Sequence, residues 1–360
     1  MCLGDVCFLF KPVRVIYSKR RAMNITIFEI DDWEREAFKS FEDEHKTRYL
    51  EKPLTAANAD DQKDAEIIST FVYSRLNADT LKKLPNLKMI TTRSTGFDHI
   101  DMDYCNKKGI TVCNVPGYGE NTVAEHVFTL LLAISHRLID SVDRTRKGDF
   151  TSKGLRGFDL RGKTLGVIGT GNIGRYVINI AGGFSLKVIA SDLKPDMDYA
   201  EKAGFDYVSM QDLLTLSDII TLHVPGSKAT QNLLSDKEFG AMKEGVVIIN
   251  TSRGTVIDIH ALLHSLAEGK VSAAGLDVLP EEPVIREEAE LLHAIFTRKH
   301  DESKLLANHI LLHMDNVIIT PHNAFNTREA VERILKSTHD NIKAYLTGNA
   351  TNAVNNPSDK

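Results

Sequence analysis

Short apolar runs alternate with amphipathic helical stretches along nearly the whole chain. In the first half, helical stretches such as Asp32–Phe41 and Ala78–Leu84 separate the apolar runs. The predicted strands lie near Ile25–Ile30, Ile67–Val72, Lys88–Thr92 and Thr111–Asn114. Strands that alternate with helices are typical of parallel sheets with crossover helices. The first half therefore predicts a small doubly wound sheet of its own.

The alternation restarts at Thr164, after a polar stretch that contains several glycines. The second half predicts strands near Leu165–Ile168, Val188–Ala190, Ile219–His223, Val246–Asn250, Ala273–Leu276 and Val317–Thr320. This set has the strand count of a complete dinucleotide-binding sheet. The whole chain is therefore predicted to be an α/β protein with two doubly wound parallel-sheet domains.

Two further helices are predicted from their amphipathic pattern, at Asn121–Arg146 and Thr327–Leu346. The first carries more apolar residues than one buried face requires. It is predicted either to lie buried between domains or to form the interface of a homodimer, and we favour the homodimer. The charged helical stretch between Arg286 and Asp315 is interpreted as an insertion.

A glycine-rich turn follows the predicted strand Leu165–Ile168. It consists of Gly169, Thr170, Gly171, Asn172, Ile173 and Gly174. With a strand before and a helix after, the three glycines allow a tight turn, a close approach to a pyrophosphate and close helix–strand packing. Free N–H groups at the helix N-terminus favour the phosphates. The turn predicts dinucleotide binding, although such a run taken alone is also compatible with an ordinary glycine-rich turn.

Asp192, at the end of the next predicted strand, bears on which dinucleotide is bound. Its carboxylate is suited to accept hydrogen bonds from the ribose hydroxyls of an adenosine. A 2′-phosphate at ~4 Å would be repelled by about 1 kcal/mol in water and about 4 kcal/mol at an effective dielectric near 20. NAD is therefore the predicted cofactor, and Lys194 leaves NADP as an alternative.

Size and composition narrow the class of protein. The 360 residues suggest two domains, and the net charge of −5 with both signs interspersed gives no support for nucleic-acid or membrane partners. The four cysteines show neither metal-ligand spacing nor a disulfide framework, which indicates free thiols in a cytoplasmic protein without a metal. Residues 1–22 are predicted to be a disordered extension.

Polar side chains follow several predicted strands, where ligands bind in open parallel sheets. Arg253, Asp277 and His322 each come after a strand, and Glu282 lies shortly beyond Asp277. Arginine can clamp a carboxylate and polarise an adjacent carbonyl, while histidine can exchange a proton near neutral pH. Each of these residues also has an ordinary structural interpretation. Together with the dinucleotide turn, they predict hydride transfer at a carbonyl next to a carboxylate.

The order of several separate motifs resembles that of the D-isomer-specific 2-hydroxyacid dehydrogenases, from about Met23 to about Leu346. The motifs are the glycine-rich turn, Asn250–Gly254, Gly275–Val278 with Glu282-Pro283, and Thr320–Ala324. The resemblance implies that Arg253 binds the substrate carboxylate and carbonyl, His322 is the acid/base and Glu282 its partner. It also implies a discontinuous flavodoxin-like substrate domain, 23–121 and 322–348, around an NAD-binding Rossmann domain, 122–321.

Further residues are assigned on the same resemblance. The glycine-rich turn and Asp192 are expected to contact the cofactor, and so are His223, Val224, Pro225, Asn232, Thr251, Ser252 and Asp277. Asp277 is expected to bind the nicotinamide amide. Thr95 and Gly96 are expected to receive the substrate carboxylate through backbone N–H groups. Tyr73, Tyr118 and Phe325 are expected to form a tight pocket for a small side chain, although each aromatic is equally compatible with core packing.

Within the family, the chain is most similar to the D-lactate dehydrogenase branch, which makes pyruvate and D-lactate the first candidate pair. Ser94–Gly96 and Gly117–Asn121 depart from that branch, and the stretch 286–315 is longer than the family core requires. Alternatives are glyoxylate or hydroxypyruvate, phosphoglycerate, and an aromatic 2-oxo acid. A further alternative, from another class, is an NAD-sensing corepressor-type binding protein, which we favour least.

Overall fold

The structure, a computed structural model, describes residues 21–280 and 302–355. Glu282 and parts of the predicted extension and insertion lie outside the described residues. The described residues divide into two compact units. Unit 1 holds those up to Val115 and from Leu335 onward, and unit 2 is Pro116–Ile334. The predicted domain boundaries differ from this division, and the assignment of a substrate domain and a cofactor domain stays a prediction.

Unit 1 is built on a parallel five-stranded sheet. The strands are β1 (Asn24–Phe28), β2 (Lys46–Leu50), β3 (Ile67–Thr70), β4 (Met89–Thr92) and β5 (Thr111–Cys113). Their order is β2-β1-β3-β4-β5, which is the flavodoxin-like order. The apolar pattern of the sequence did not predict β2, because this edge strand is half exposed and lacks an apolar run. Two short α-helices, α1 (Ala78–Leu81) and α2 (Met102–Lys108), connect the later strands, and Asp32–Phe41 forms a 3-10 helix.

Unit 2 contains a parallel seven-stranded sheet. Its strands are β6 (Thr164–Ile168), β7 (Lys187–Ser191), β8 (Asp206–Tyr207), β9 (Ile219–Leu222), β10 (Val246–Asn250), β11 (Val271–Leu276) and β12 (Val317–Ile319). The order β12-β11-β10-β9-β6-β7-β8 reverses at β6, as in a dinucleotide-binding fold. The six predicted strands are confirmed, and β8 was missed because two residues at an edge carry no pattern.

Helices pack on both faces of this sheet. The α-helices of unit 2 are α3 (Glu120–Ser135), α4 (Leu138–Arg146), α5 (Asn172–Gly183), α6 (Met197–Ala203), α7 (Met210–Leu216), α8 (Asp236–Ala241), α9 (Ile259–Ala267), α10 (Glu302–Leu312) and the beginning of α11 (Arg328–Leu346). The rest of α11 belongs to unit 1. Buried side chains of α3 and α5, among them Leu130, Leu131 and Val177, pack on the sheet in one core. Gly275 admits this packing, because a Cβ there would lie 3.0 Å from the Leu130 Cβ.

The single helix predicted over Asn121–Arg146 is wrong. Two helices, α3 and α4, are bent by 61° at the break between them. Arg137 has a left-handed backbone there, with φ of 49°. The carbonyl of Ser135 accepts a hydrogen bond from the Phe158 N–H at 2.9 Å, so the returning chain occupies the end of α3.

No single helix among the described residues is both long and apolar enough to cross a membrane. The bent pair α3 and α4 passes that test only when the two helices are taken together.

Candidate active site

The carboxyl edge of the unit 2 sheet gathers most of the residues singled out from the sequence. Gly169, His223 and Arg253 follow β6, β9 and β10, and Asp277 and His322 follow β11 and β12. These five strands are neighbours in the sheet. The hydrogen bonding continues past the strand ends, since the Asp277 N–H donates to the Asn250 carbonyl at 2.9 Å. The strand topology thus brings these residues to one edge.

The three glycines of the glycine-rich turn lie in different surroundings. Gly169 has φ of 94°, and a Cβ there would lie 2.8 Å from the His223 carbonyl oxygen. A Cβ at Gly174 would lie 2.2 Å from the Gly169 carbonyl oxygen, so a side chain would push α5 away from β6. At Gly171, by contrast, a Cβ would meet nothing within 4 Å. The open space is therefore at the glycine that precedes α5.

The residues at this edge of the sheet fit a dinucleotide. The first turn of α5 contains no acidic residue, and its N-cap is Gly171, which has no side chain to cap the N–H groups. These N–H groups favour an anion such as a pyrophosphate. Thr251, only 9% exposed, has a buried hydroxyl without a hydrogen-bond partner among the described residues. A buried hydroxyl of this kind is typical of a site that a bound group completes.

Asp192 lies just beyond β7, beside the glycine-rich turn. Its Oδ2 accepts the Thr170 N–H at 2.7 Å and the Thr170 hydroxyl at 3.0 Å, and its Oδ1 accepts the Lys194 N–H at 2.9 Å. Burial raises the pKa of Asp192, but these hydrogen bonds outweigh it and the net pKa is lowered. Asp192 is thus an anion at neutral pH, which disfavours a 2′-phosphate.

Other predicted cofactor residues lie in the loops after β9. Burial lowers the pKa of His223 to about 3, so its imidazole is neutral at physiological pH. Val224 would lie 3.1 Å from a Cβ at Gly169, and the Pro225 carbonyl accepts the Thr230 hydroxyl at 2.6 Å. Asn232 is exposed, with a left-handed backbone. His223 and Val224 therefore lie against Gly169 of the glycine-rich turn, and Pro225 and Asn232 follow them in the chain.

The loop after β10 is held by its own polar groups. The side-chain oxygen of Asn250 accepts the N–H and the hydroxyl of Ser252, at 3.0 and 2.8 Å, while its amide donates to the Arg253 carbonyl at 3.0 Å. The aliphatic stem of Arg253 lies over Gly226, where a Cβ would be 2.9 Å from the Arg253 Cγ. The loop and Gly226 together fix the base of the Arg253 side chain.

Two predicted pocket aromatics, Tyr118 and Phe325, lie in unit 2. The rings of Tyr118 and Phe325 are 6.4 Å apart between centroids, in an edge-to-face arrangement. Burial raises the pKa of Tyr118 to about 12, and the positive charge of Arg253 acts against that rise. Arg333 fixes the Tyr118 loop, because its Nε donates to the Tyr118 carbonyl at 2.7 Å. Tyr118 and Phe325 are therefore in contact, and the charge of Arg253 acts on the Tyr118 hydroxyl.

Asp277 holds the turn that carries His322. Asp277 is 1% exposed. Its Oδ1 accepts the Thr320 hydroxyl at 2.5 Å and the Asn323 N–H at 2.8 Å, and its Oδ2 accepts the Ala324 N–H at 2.9 Å. The His322 N–H donates to the Asp277 carbonyl at 2.9 Å. Since the carboxylate oxygens bind protein donors, the expected contact of Asp277 with a nicotinamide amide stays a prediction.

Sequence reasoning missed two residues of this network. The His126 Nε2 in α3 lies 3.0 Å from the Thr320 hydroxyl oxygen and 3.5 Å from the Asp277 Oδ1. Thr320 directly precedes Pro321-His322, so its place in the motif was a usable signal. His126 is far away in the sequence, and no local pattern connects it to the turn.

The remaining predicted substrate residues lie in unit 1. Tyr73 is in the loop after β3, and Thr95 and Gly96 are in the loop after β4. The Thr95 hydroxyl donates to the Val115 carbonyl at 2.9 Å. Within the described residues, neither the Thr95 nor the Gly96 N–H donates to a protein acceptor. Glu282, the predicted partner of His322, lies outside the described residues.

Comparison with known proteins identifies the family of this chain. Residues 128–324 match the family model described as D-isomer specific 2-hydroxyacid dehydrogenase, NAD binding domain. A hydroxypyruvate reductase of Thermotoga maritima is 38% identical over 272 residues, covering 75% of this chain and 81% of the relative.

Two solved structures have the same fold. D-lactate dehydrogenase from Aquifex aeolicus, complexed with NAD and lactic acid, is 38% identical with a TM-score of 0.78, over 90% of this chain and 96% of that one. The pyruvate reductase of Chlamydomonas reinhardtii is 33% identical with a TM-score of 0.81, over 92% of this chain and 98% of that one. The chain belongs to the D-isomer specific 2-hydroxyacid dehydrogenases, an NAD-dependent family of oxidoreductases.

Proposed function

We propose that this protein interconverts pyruvate and D-lactate, with NAD as the cofactor. The observation that carries the proposal is the shared carboxyl edge of the unit 2 sheet. There the glycine-rich turn follows β6, Arg253 follows β10 and the His322 turn follows β12, all within a run of five adjacent strands. The aromatic pair Tyr118 and Phe325, with Tyr118 within the electrostatic influence of Arg253, supports a small substrate side chain. The names of the Aquifex and Chlamydomonas relatives support the same substrate.

Arg253 is proposed to orient the 2-oxo acid. Its guanidinium offers several N–H donors in a planar fork, which matches a carboxylate and the carbonyl oxygen beside it. The Asn250–Ser252 hydrogen bonds and the contact with Gly226 fix the stem of the side chain, so little freedom is lost on binding. Donation to the carbonyl oxygen favours the negative charge that develops there during reduction.

His322 is proposed to supply the proton to that oxygen in reduction and to take it back in oxidation. Histidine titrates in the range where both directions are feasible. His322 has a left-handed backbone, with φ of 52°, that the Asp277 hydrogen bonds maintain. Glu282 stays the predicted partner that favours the protonated imidazole.

The cofactor is proposed to be held by the N-terminus of α5, Asp192 and Thr251. The α5 N–H groups would bind the pyrophosphate, Asp192 would accept from the adenosine ribose, and the Thr251 hydroxyl would gain a hydrogen-bond partner. When bound, the nicotinamide supplies the hydride chemistry. The anionic state of Asp192 supports NAD over NADP.

The homodimer and the cytoplasmic localisation stay predictions. In support of the homodimer, α4 exposes three apolar side chains, since Leu138 and Ile139 are each 51% exposed and Val142 is 38% exposed. The homodimer interface was predicted on one continuous helix. We now propose it on α4 alone, because α3 is mostly buried in the core of unit 2.

Turnover of a panel of 2-oxo acids tests the proposed function directly. With NADH, we expect kcat/KM to be highest for pyruvate, because a tight aromatic pocket favours a methyl group. Hydroxypyruvate, glyoxylate and phenylpyruvate are the comparison substrates, and the Thermotoga relative makes hydroxypyruvate the main rival. Preference for a rival would revise the substrate, while no turnover with any acid would favour a binding protein over an enzyme.

The His322→Gln variant tests the acid/base assignment. We expect kcat for pyruvate reduction to fall about 10²- to 10⁴-fold, because glutamine cannot deliver the proton. The wild-type rate should be higher below neutral pH than above it, and the variant should lose this dependence. Burial lowers the pKa of His223 to about 3 and of His99 to about 4, so both are neutral between pH 5 and 9 and neither produces the dependence.

The matched control is His264→Gln, which changes an exposed histidine of α9. It should keep the wild-type rate and pH profile. An unchanged kcat in His322→Gln would contradict the assignment, as would a variant that retains the full pH dependence.

The Gly171→Ala variant tests the cofactor site. A methyl group there meets no protein atom within 4 Å, and φ is −64°, so the melting temperature should be unchanged. The methyl would enter the space expected for the pyrophosphate, and the Kd for NADH should rise about tenfold or more. Gly182→Ala, equally open and in the same helix, is the control. Equal NADH affinity in all three proteins would place the cofactor elsewhere.

The Asp277→Asn variant separates two roles of this residue. An asparagine amide would place a donor against the N–H groups of Asn323 or Ala324, so the His322 turn should lose its geometry. We expect kcat to fall about 10- to 100-fold while the Kd for NADH stays unchanged. Asp258→Asn, at the N-cap of α9, is the control and should be neutral. A large rise in the NADH Kd with unchanged kcat would support the nicotinamide contact instead.

A further inference from the structure

Glu29 is hydrogen-bonded to the loop that carries Tyr73. It directly follows β1, and its carboxylate accepts three donors from the loop after β3. Its Oε2 accepts the Phe71 N–H at 2.8 Å and the Ser74 hydroxyl at 2.5 Å, and its Oε1 accepts the Tyr73 N–H at 2.8 Å. Ser74 in turn accepts the Leu54 N–H at 2.9 Å. One carboxylate thus fixes the path of this loop on both sides of Tyr73.

The main chain of Glu29 is bonded to the other substrate loop. Arg93 directly follows β4 and precedes Ser94–Gly96, and its Nη2 donates to the Glu29 carbonyl. Its Nη1 donates to the Ser69 hydroxyl at 3.3 Å, and its N–H donates to the Thr70 carbonyl at 2.7 Å. The Arg93 guanidinium is thus bonded to the ends of both β1 and β3.

Arg93 is 3% exposed, so its charge needs compensation within unit 1. Burial lowers the pKa of the guanidinium, and the carboxylates of Glu34, Glu29 and Asp31 oppose that shift. Removal of any one of these groups would leave charge or hydrogen-bonding capacity unsatisfied in the interior. The position of the 93–96 loop therefore depends on the same group of residues as the 71–74 loop.

The backbone of Glu29 is itself unusual. Its φ of 53° lies in the left-handed region, which residues other than glycine, asparagine and aspartate rarely adopt. This conformation is maintained by the contacts on both sides of the residue, the carboxylate with one loop and the carbonyl with the other. Strain of this kind is typical of residues that position a functional site.

We propose that Glu29 is a positioning residue that sets the geometry of both substrate loops of unit 1 and thereby the KM for the 2-oxo acid. The proposal rests on the proposed function, since Tyr73, Thr95 and Gly96 are substrate residues only under it. The N–H groups of Thr95 and Gly96 donate to no acceptor in the described part of the chain. Arg93 precedes them directly, so its hydrogen bonds to Glu29 and Ser69 position these two donors.

The test is Glu29→Gln, which keeps the shape of the side chain. A glutamine has one acceptor oxygen in place of two, so at least one of the three donors from Phe71–Ser74 loses its partner. We expect the KM for pyruvate to rise about tenfold or more, with an unchanged Kd for NADH. The preference for pyruvate over phenylpyruvate, measured as the ratio of kcat/KM values, should fall, because the Tyr73 loop is no longer fixed.

The matched control is Glu66→Gln, at the opposite edge of the same sheet. Like Glu29, Glu66 accepts a backbone N–H, that of Asn24 at 3.2 Å. Glu66 is buried and lies at the amino ends of the strands. The control should lose stability without a change in KM or in substrate preference. Ser74→Ala removes a single donor to Glu29 and should raise the KM in the same direction by less.

Amide hydrogen exchange gives a second readout that does not depend on activity. In Glu29→Gln, exchange should be faster in peptides covering 69–76 and 93–97 than in the wild-type protein, and Glu66→Gln should change neither. An active wild-type protein with an unchanged KM in Glu29→Gln, or unchanged exchange in both loops, would overturn the inference while the proposed function stands. A wild-type protein without turnover would overturn the proposed function, and the exchange data would then decide alone whether Glu29 orders the two loops.

Discussion

The buried carboxylate of Asp277 is the constraint on which the arrangement of unit 2 residues depends. It lies at the end of β11 and accepts the backbone N–H groups of Asn323 and Ala324, which closes the chain after β12 into a tight turn. A carboxylate that is 1% exposed is tolerated only because donors surround it. The same donors force His322 into a left-handed backbone and determine where its side chain begins.

Unit 1 uses the same device at the carboxyl edge of its own sheet. There Glu29 accepts two backbone N–H groups and one hydroxyl, and its own backbone is left-handed. In both units an acidic side chain after one strand fixes the loop after another. The rigid sheets set the spacing of the strand ends, and the acids convert that spacing into defined loop conformations. Loops that start from fixed points can present functional groups at low entropic cost.

Much of the fold was predictable, because buried parallel strands carry continuous apolar runs and glycine spacing marks the turn after β6. The edge strands β2 and β8 escaped, since one is half exposed and the other has only two residues. At the site, Arg253 and His322 were recognisable from their places after strands. Thr320 could also have been found from its place before Pro321-His322. The contact of His126 with Thr320 and the bond of Glu29 to the Tyr73 N–H could not, because these residues come together only in the folded chain.

The decisive experiment is a crystal structure of the protein with NADH and oxamate, a non-reducible analogue of pyruvate. We expect the Arg253 guanidinium and the His322 imidazole to lie within hydrogen-bonding distance of the oxamate oxygens. We also expect Asp277 still to accept the N–H groups of Asn323 and Ala324. A complex in which Asp277 leaves these N–H groups for the nicotinamide amide, or in which His322 points away from the oxamate, would contradict the account.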